Sequence, residues 1–437
     1  MKTLAIISEY NPFHHGHLYQ FYKAKEITGA DCILVVMSGN FVQRGEPAII
    51  NKRARTDMAI SNGADLVVEM PFVFSTQDAN GFALGAISLL NALNSVEYLC
   101  FGCENNDPNP FFSIGRFLVN ENKTYKAILK ENCKKGYEFP KARAQALLEY
   151  HKKYGIDKLK KIPTKQFMEY LSSPNNILAI EYVKHLLKTR SGIQAVPIKR
   201  IVADYHEENI RKTISSATSI RKEIFRIFKY PNHINPKLTG NIQLALPSSA
   251  YYIFKKELLE GRTPVSLSQY EQHILATLRM LTLKNLSMIH GVNECLENRI
   301  KKAALNSTNI DMLISQIKTR RYTLTKIKRI LLHVMTGLSK ADARDFNQYG
   351  SMYVRVLGFS KKGKKLLKKM KNNSQIPIIT KLSTFLRKIH SEKPLNYEKV
   401  LKMINFDILS GDLYNLGYPK ESERLARTDF SGKIIKK

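Results

Sequence analysis

The chain has 437 residues, 43% apolar and 24% charged, enough for a large core and unlike the composition of a disordered or fibrous chain. No apolar run approaches the roughly 18 residues needed to cross a bilayer, and the N-terminus lacks a basic region with a small-residue cleavage site, so a cytosolic (cytoplasmic) protein without membrane contact is expected. The net charge of +32 is lopsided: residues 1–110 carry 7 basic and 11 acidic side chains, the rest 62 and 26. Folding does not need that asymmetry, whereas binding a polyanion does, so nucleic acid is the expected partner of the rear of the chain. The five cysteines, Cys32, Cys100, Cys103, Cys133 and Cys295, are odd in number and irregularly spaced, which suits a reducing compartment.

In chain order, Thr3–Ser8 reads as a strand and Leu18–Ile27 as a helix. Cys32–Met37 is a continuous buried-strand run, Lys52–Ser61 a helix, Asp65–Met70 a strand, Gly81–Leu93 a helix and Glu97–Phe101 a strand. Apolar strands alternating with helices predict a parallel sheet covered on both faces, with ligands at the carboxyl edge of the strands. Residues 120–170 are Lys-rich and helical. Ser173-Pro174-Asn175-Asn176 opens another helix, Val196–Val202 is a further strand and Thr213–Phe228 a further helix. Pro231, Pro236 and Pro247 then punctuate the chain, and after Ser266 it reads as mostly helical without β alternation. The expected architecture is therefore α/β: a Rossmann-like domain with a parallel sheet over 1–235, followed by a mostly α-helical, basic domain over 236–437.

The chemistry concentrates at the end of the first strand, in Ile7-Ser8-Glu9-Tyr10-Asn11-Pro12-Phe13-His14-His15-Gly16-His17-Leu18-Tyr19-Gln20. Helix N-termini present unpaired N–H groups and partial positive charge to a phosphate. Gly16 permits close backbone approach, and His14 and His17 can aim N–H donors at charge developing there. A metal site would need three converging ligands with orienting carboxylates, and only Glu9 is near in sequence, so no metal is expected. Ser38–Glu46 follows the second strand and faces the same edge. Lys52, Arg53 and Arg55, on one helix turn, either guide phosphates or form a solvated face. The Cys100/Cys103 pair, without a second pair, reads as buried strand cysteines. Towards the rear, Arg320 and Arg321 can contact phosphates and Tyr322 can stack on a base or belong to the core. Lys361, Lys362, Lys364, Lys365, Lys368, Lys369 and Lys371 form an unbalanced basic run that favours RNA.

The H-x-G-H spacing after the first strand resembles the signature of the nucleotidyltransferase superfamily, shared with class I aminoacyl-tRNA synthetases. That superfamily pairs it with a downstream segment like Ile214-Ser215-Ser216-Ala217-Thr218-Ser219-Ile220-Arg221. SEYNPFHHGH, SGNFVQRGEPAIINKRAR, GADLVVEMP, FGCE, SSPNNILAIEY, IKRIVADYH and ISSATSIR together resemble the tRNA(Met) cytidine acetate ligase family. NECLENRIKKAA, TRRYTLTKIKRILLH and VLGFSKKGKKLLKK extend the resemblance over nearly the whole chain. Two departures are noted: Cys103 in place of a small hydroxyl residue, and Asp78-Ala79-Asn80, less acidic than the family pattern and bearing on the acetate pocket.

The resemblance implies an ATP-dependent ligase that activates acetate as acetyl-adenylate, releases pyrophosphate and acetylates N4 of the wobble cytidine of elongator tRNA(Met). It implies an ATP cradle at Ile7–Gln20 with His14 and His17 on the phosphates, close nucleotide approach at Gly102, and contacts to the nucleotide from Asn175 and Arg200. Ser216, Thr218 and Arg221 would hold the pyrophosphate side, and Mg²⁺ would accompany the triphosphate. The alternatives are a small-metabolite adenylyltransferase, disfavoured by the basic rear half, and a non-catalytic RNA-binding protein with a relic nucleotide fold, disfavoured by the presence of both phosphate motifs.

Overall fold

A computed structural model describes residues 1–105, 107–157, 159, 162–200, 216–228 and 236–437. Its strands are β1 (Thr3–Ser8), β2 (Cys32–Ser38), β3 (Phe41–Val42), β4 (Glu46–Pro47), β5 (Leu66–Met70), β6 (Tyr98–Cys103), β7 (Gln194–Lys199), β8 (Val354–Phe359), β9 (Ile378–Ile379) and β10 (Ile435–Lys436). One eight-stranded sheet runs β10-β8-β5-β2-β1-β6-β7, with β9 also on β8, while β3 and β4 form a separate two-stranded ladder. β1, β2, β5, β6 and β7 are mutually parallel, as expected from their apolar runs.

Both faces of the sheet are buried, and the strand period of two divides their side chains. Leu4, Ile6, Ile33 and Val35 pack in a core with residues of the helices His15–Thr28, Lys52–Ser61 and Ser248–Leu259. Ala5, Leu34 and Val36 face the opposite core with Ala79–Leu93 and Pro174–Lys188, and that core continues into the rear helices through Tyr270, Leu331 and Tyr414. The Lys-rich region forms three helices, Lys123–Lys134, Phe139–Tyr154 and Thr164–Ser172. The expected strand Val196–Val202 is Gln194–Lys199, and the expected helix Thr213–Phe228 is Ala217–Phe228. Residues 201, 202 and 213–215 of those two expectations lie outside the described residues.

The rear half is mostly helical, as expected, and it also adds strands to the sheet: β8 pairs antiparallel to β5, with Leu66 opposite Phe359 and Glu69 opposite Arg355. Arg355 breaks the apolar pattern of Val354–Phe359 because its charge is matched inside the fold. It lies 3.3 Å from Glu69 and 3.0 Å from Asp429, and Lys52 lies 2.7 Å from Glu69 and 3.0 Å from Asp429, all four side chains being buried. Two cations and two carboxylates thereby join β5, β8 and the chain's end.

Lys52 is thus no phosphate guide, and neither is Arg55. Arg55 has no exposed surface and donates to the carbonyls of Ile50 (3.0 Å), Glu9 (2.7 Å), Ser38 (3.0 Å) and Gly39. Its guanidinium holds the ends of β1 and β2 together. Arg53 donates to the carbonyls of Lys433 and Thr428. Arg55→Met strands several buried carbonyls and is expected to destabilise the fold by about 3 kcal/mol or more. Lys at 55, with a point charge in place of a planar fork, is expected to restore only part of this, as read from urea denaturation midpoints.

Candidate active site

The helix His15–Thr28 begins three residues before its apolar periodicity because histidine caps it. Nδ1 of His14, the N-cap residue, accepts from the Gly16 N–H at 3.0 Å, and Nδ1 of His17 accepts from the His14 N–H at 3.2 Å. This reciprocal arrangement occupies both Nδ1 atoms as acceptors, so each neutral ring carries its proton on Nε2. The rings stack with centroids 3.8 Å apart, and His17 also packs edge-on against Tyr10 at 4.8 Å. Burial, then Arg200, His15 and Arg221, pushes His14 down to about 3. Burial, then His14 and Arg200, holds His17 well below its ordinary value. The pair therefore offers neutral N–H donors at neutral pH.

The other elements converge on this turn. Asn11 accepts from the Ile49 N–H at 2.7 Å through Oδ1, while its buried Nδ2 finds no protein partner among the described residues. Arg221 donates to the Asn11 carbonyl at 2.9 Å and bridges to Thr218 Oγ1 at 3.5 Å, so the second motif docks on the first. Ser216 Oγ accepts from the Ser219 N–H at 3.1 Å and starts that helix. At the end of β6, a Cβ on Gly102 would sit 3.2 Å from Arg200 Cγ; the glycine makes room for that arginine to lie across the strand end. Arg200 reaches Asn175 Oδ1 at 3.5 Å, and Asn175 Nδ2 donates to Glu104 at 2.5 Å. Asn176 accepts from the Glu104 N–H at 2.9 Å. Burial raises the Glu9 carboxyl above its ordinary value, against the opposing pull of Arg44, the Gln43 N–H and Arg221. The Gln43 N–H donates to Glu9 Oε1 at 2.9 Å.

Residues drawn from 7–20, Gly102, Asn175, Arg200, Thr218 and Arg221 therefore meet at the carboxyl edge of β1 and β6, where the strand order reverses direction, the crevice that doubly wound sheets use for ligands. Imidazole N–H groups, two guanidiniums and a helix N-terminus are anion-binding chemistry. Among the described residues no three His, Cys, Asp or Glu side chains converge as a metal set. Sequence reasoning named Arg55 and the Ser38–Glu46 loop but not their partners: the carbonyls that enclose Arg55 and the Lys328 that pairs with Glu46 come from distant segments.

The basic residues separate into two groups. Arg320 and Arg321 are exposed and precede the helix Leu324–Thr336. That helix rests on the loop between β3 and β4: Arg329 donates to the Gln43 carbonyl at 3.1 Å, and Lys328 pairs with Glu46. Arg321 itself pairs with Glu294 at 2.9 Å. Tyr322, open to a stacking or a core reading, is buried: its hydroxyl reaches Glu294 at 3.3 Å and Lys326 covers its ring at 4.8 Å. The helix Lys361–Asn373 displays Lys361, Lys362, Lys364, Lys365, Lys368 and Lys371 to solvent. Its Ser360 cap binds Asp65 at the start of β5, and Lys369 reaches the Met1 carbonyl and Glu97, which precede β1 and β6. This run lies beneath the opposite edge of the sheet, roughly 17–20 Å away at about 3.3 Å per strand residue.

The fold and the anion-binding turn define a Rossmann-like nucleotidyltransferase. The HIGH Nucleotidyl Transferase family model matches residues 1–429. Proteins named tRNA(Met) cytidine acetate ligase from Halothermothrix orenii and Acetivibrio thermocellus are each 40% identical, with 100% of both chains covered. A crystal structure of Thermotoga maritima TmcAL bound with alpha-thio ATP aligns with a TM-score of 0.90 at 34% identity, over 100% of this chain and 99% of that one. The chain belongs to the HIGH nucleotidyl transferase family and, within it, to the tRNA(Met) cytidine acetate ligase family. Among the described residues no helix is long and apolar enough to cross a membrane.

The capping geometry has a titration consequence. The unfolded chain binds protons at His14 and His17 below the ordinary value of 6.5, whereas the folded rings resist protonation until far lower pH. Their contribution to stability is therefore complete above about 6.5 and is lost as pH falls through their folded values. Nitrogen-15 spectra are expected to show both rings neutral, protonated at Nε2, and free of titration between about pH 5 and 8.

Proposed function

We propose that the protein is an ATP-dependent ligase that activates acetate as acetyl-adenylate, releasing pyrophosphate, and acetylates N4 of the wobble cytidine of elongator tRNA(Met) in the cytoplasm. The observation that carries this reading is the reciprocal histidine cap, which engages both rings through Nδ1 and leaves their Nε2–H groups out of the cap, with Arg200 and Arg221 beside His14. The relatives carry the name tRNA(Met) cytidine acetate ligase over the full chain length, and the related structure holds an ATP analogue. A carboxylate is nucleophilic at pH 7 without a base, so positioning and charge stabilisation at the α-phosphate supply the rate. His14 and His17 donate to the phosphate charge as it develops. Arg221, with Ser216 and Thr218, serves the pyrophosphate side, while Gly102, Asn175 and Arg200 serve the nucleoside side. Imidazole and guanidinium donors suit phosphate oxygens and not a hard cation, so Mg²⁺ is proposed to arrive on the triphosphate itself.

The division of labour follows the chain: residues 1–235 carry adenylation, and 236–437 present the RNA. His14→Ala or His17→Ala is expected to lower acetate-dependent ATP–pyrophosphate exchange by roughly 10²–10³-fold, as for a lost oxyanion donor. Wild-type exchange with acetate, in a panel of small carboxylates and without RNA, supports the reading. Exchange only with a phosphorylated metabolite would instead favour a metabolite adenylyltransferase.

The two basic faces serve different lengths of RNA. Arg320→Gln with Arg321→Gln is expected to weaken binding of both whole tRNA and an isolated anticodon stem-loop. Replacing Lys361, Lys362, Lys364 and Lys365 with Gln is expected to weaken only whole tRNA, flattening its log–log salt dependence by about 0.7–0.9 per lost phosphate contact. Equal affinity for whole tRNA before and after the lysine changes would make that run a solvated face.

A further inference from the structure

Arg221 borders two spaces. One guanidinium nitrogen donates to the Asn11 carbonyl of the histidine turn, and the same side chain lines a second cavity of ≈ 280 Å³ between the front and rear halves of the chain. Glu46 from β4, Phe225 from the motif helix, and Ser268, Ile314 and Lys328 from the rear half complete its working wall. We propose that this cavity receives the everted acceptor base of the RNA, with Glu46 facing the base's exocyclic amine; the assignment rests on the reading that the chain passes an acyl group from an adenylate to an RNA amine.

Size, lining and charge all point to this occupant. The volume of ≈ 280 Å³ lies just below the range of about 300–1,000 Å³ for ligand cavities, and suits one base without its neighbours. Enzymes that act on a base take it out of its stack, hold it between apolar or aromatic side chains and read its pairing edge by hydrogen bonds. Phe225 and Ile314 supply apolar surface for the ring. Glu46 is the acceptor, flanked by two donors: Lys328 pairs with its Oε1, and Arg221 lies 4.0 Å from its Oε2. Cytosine presents the complement, a donating amine at N4 beside acceptors at N3 and O2, and a carboxylate accepting from N4 is an established mode of reading cytosine. Uracil would turn its O4 acceptor toward Glu46 and be rejected.

The location suits the transfer as well. The Gln43 N–H donates to Glu9 in the histidine loop, and β4 with Glu46 follows three residues later, so the cavity and the adenylate site share one loop. In the transfer, the N4 lone pair attacks the acetyl carbonyl carbon and forms the N–C bond. The bond from that carbon to the phosphate oxygen breaks, AMP leaves with its electron pair, and the N4 proton passes along the hydrogen bond to the Glu46 carboxylate. Once acylated, a nitrogen still carrying both its protons is acidic enough for even an ion-paired carboxylate to accept one.

Two variants test the assignment with two assays on the full chain: acetate-dependent ATP–pyrophosphate exchange, and transfer of labelled acetate to bulk tRNA. Glu46→Gln removes the carboxylate that takes up the N4 proton while leaving one acceptor oxygen, and Ser268→Trp, at an exposed rim position, fills the cavity without touching the core. Each is expected to lower transfer about 10²-fold more than it lowers exchange. Exchange in the same samples reports that the variants are folded. Transfer surviving in either variant, or falling only in parallel with exchange, overturns the base pocket while wild-type exchange with acetate leaves the activation reading intact. Wild-type protein that shows no acetate-dependent exchange overturns both.

Discussion

Everything at the working edge depends on the guanidinium of Arg55. A parallel sheet ends in carbonyls that its own ladder no longer satisfies, and an edge that binds a ligand cannot cover them with apolar side chains. Arg55 meets this need from inside, donating to Glu9, Ser38, Gly39 and Ile50. Its charge is buried, and the carbonyl dipoles gathered around it replace the water it has lost. The first and second strand loops are consequently held in one fixed relation, and both lie at the carboxyl edge of the sheet.

On that support, the helix cap and the anion-binding donors are opposite nitrogens of the same two rings. An ordinary N-cap uses a serine or aspartate, whose oxygen satisfies an orphan N–H and is then spent. Imidazole has two nitrogens, so Nδ1 can cap while Nε2–H remains free for a ligand. Capping thus sets the tautomer, and burial beside Arg200 and Arg221 keeps both rings neutral. A neutral donor pair between two permanent cations can favour phosphate charge without itself exchanging protons near neutral pH.

The two halves of the chain are joined through charge as well as apolar packing. The buried square of Lys52, Glu69, Arg355 and Asp429 fastens β8 and the C-terminal segment to β5. On the histidine edge, Lys328 and Arg329 fasten a rear helix to the loop that carries Glu46 and Gln43. Such pairs contribute little net stability compared with apolar replacements, but removing one partner is costly, so they constrain geometry more than they add energy. The consequence is that the rear half approaches the histidine edge in one register.

The local chemistry was legible in the sequence. His14, Gly16 and His17 stand where an apolar strand run gives way to a helical one, which puts them at the strands' carboxyl edge in a parallel sheet; the serine- and arginine-bearing second motif heads a later helix, and the resemblance to the nucleotidyltransferase superfamily pairs it with the first. The asymmetry of charge between front and rear is likewise a property of the chain. What only the tertiary structure decided are the facts that depend on distant pairing. Val354–Phe359 hides its strand identity behind Arg355, whose partners Glu69 and Asp429 lie far away in sequence. Lys52 and Arg55 look like a solvated helix face until the carboxylates and carbonyls that enclose them are known. Tyr322 is open to a stacking or a core reading until Lys326 and Glu294 surround it, and where the lysines of 361–371 lie is settled only by β8 and the contacts of Ser360 and Lys369. Periodicity reports which face of an element is apolar; it carries no information about which remote charge, carbonyl or strand will cover that face.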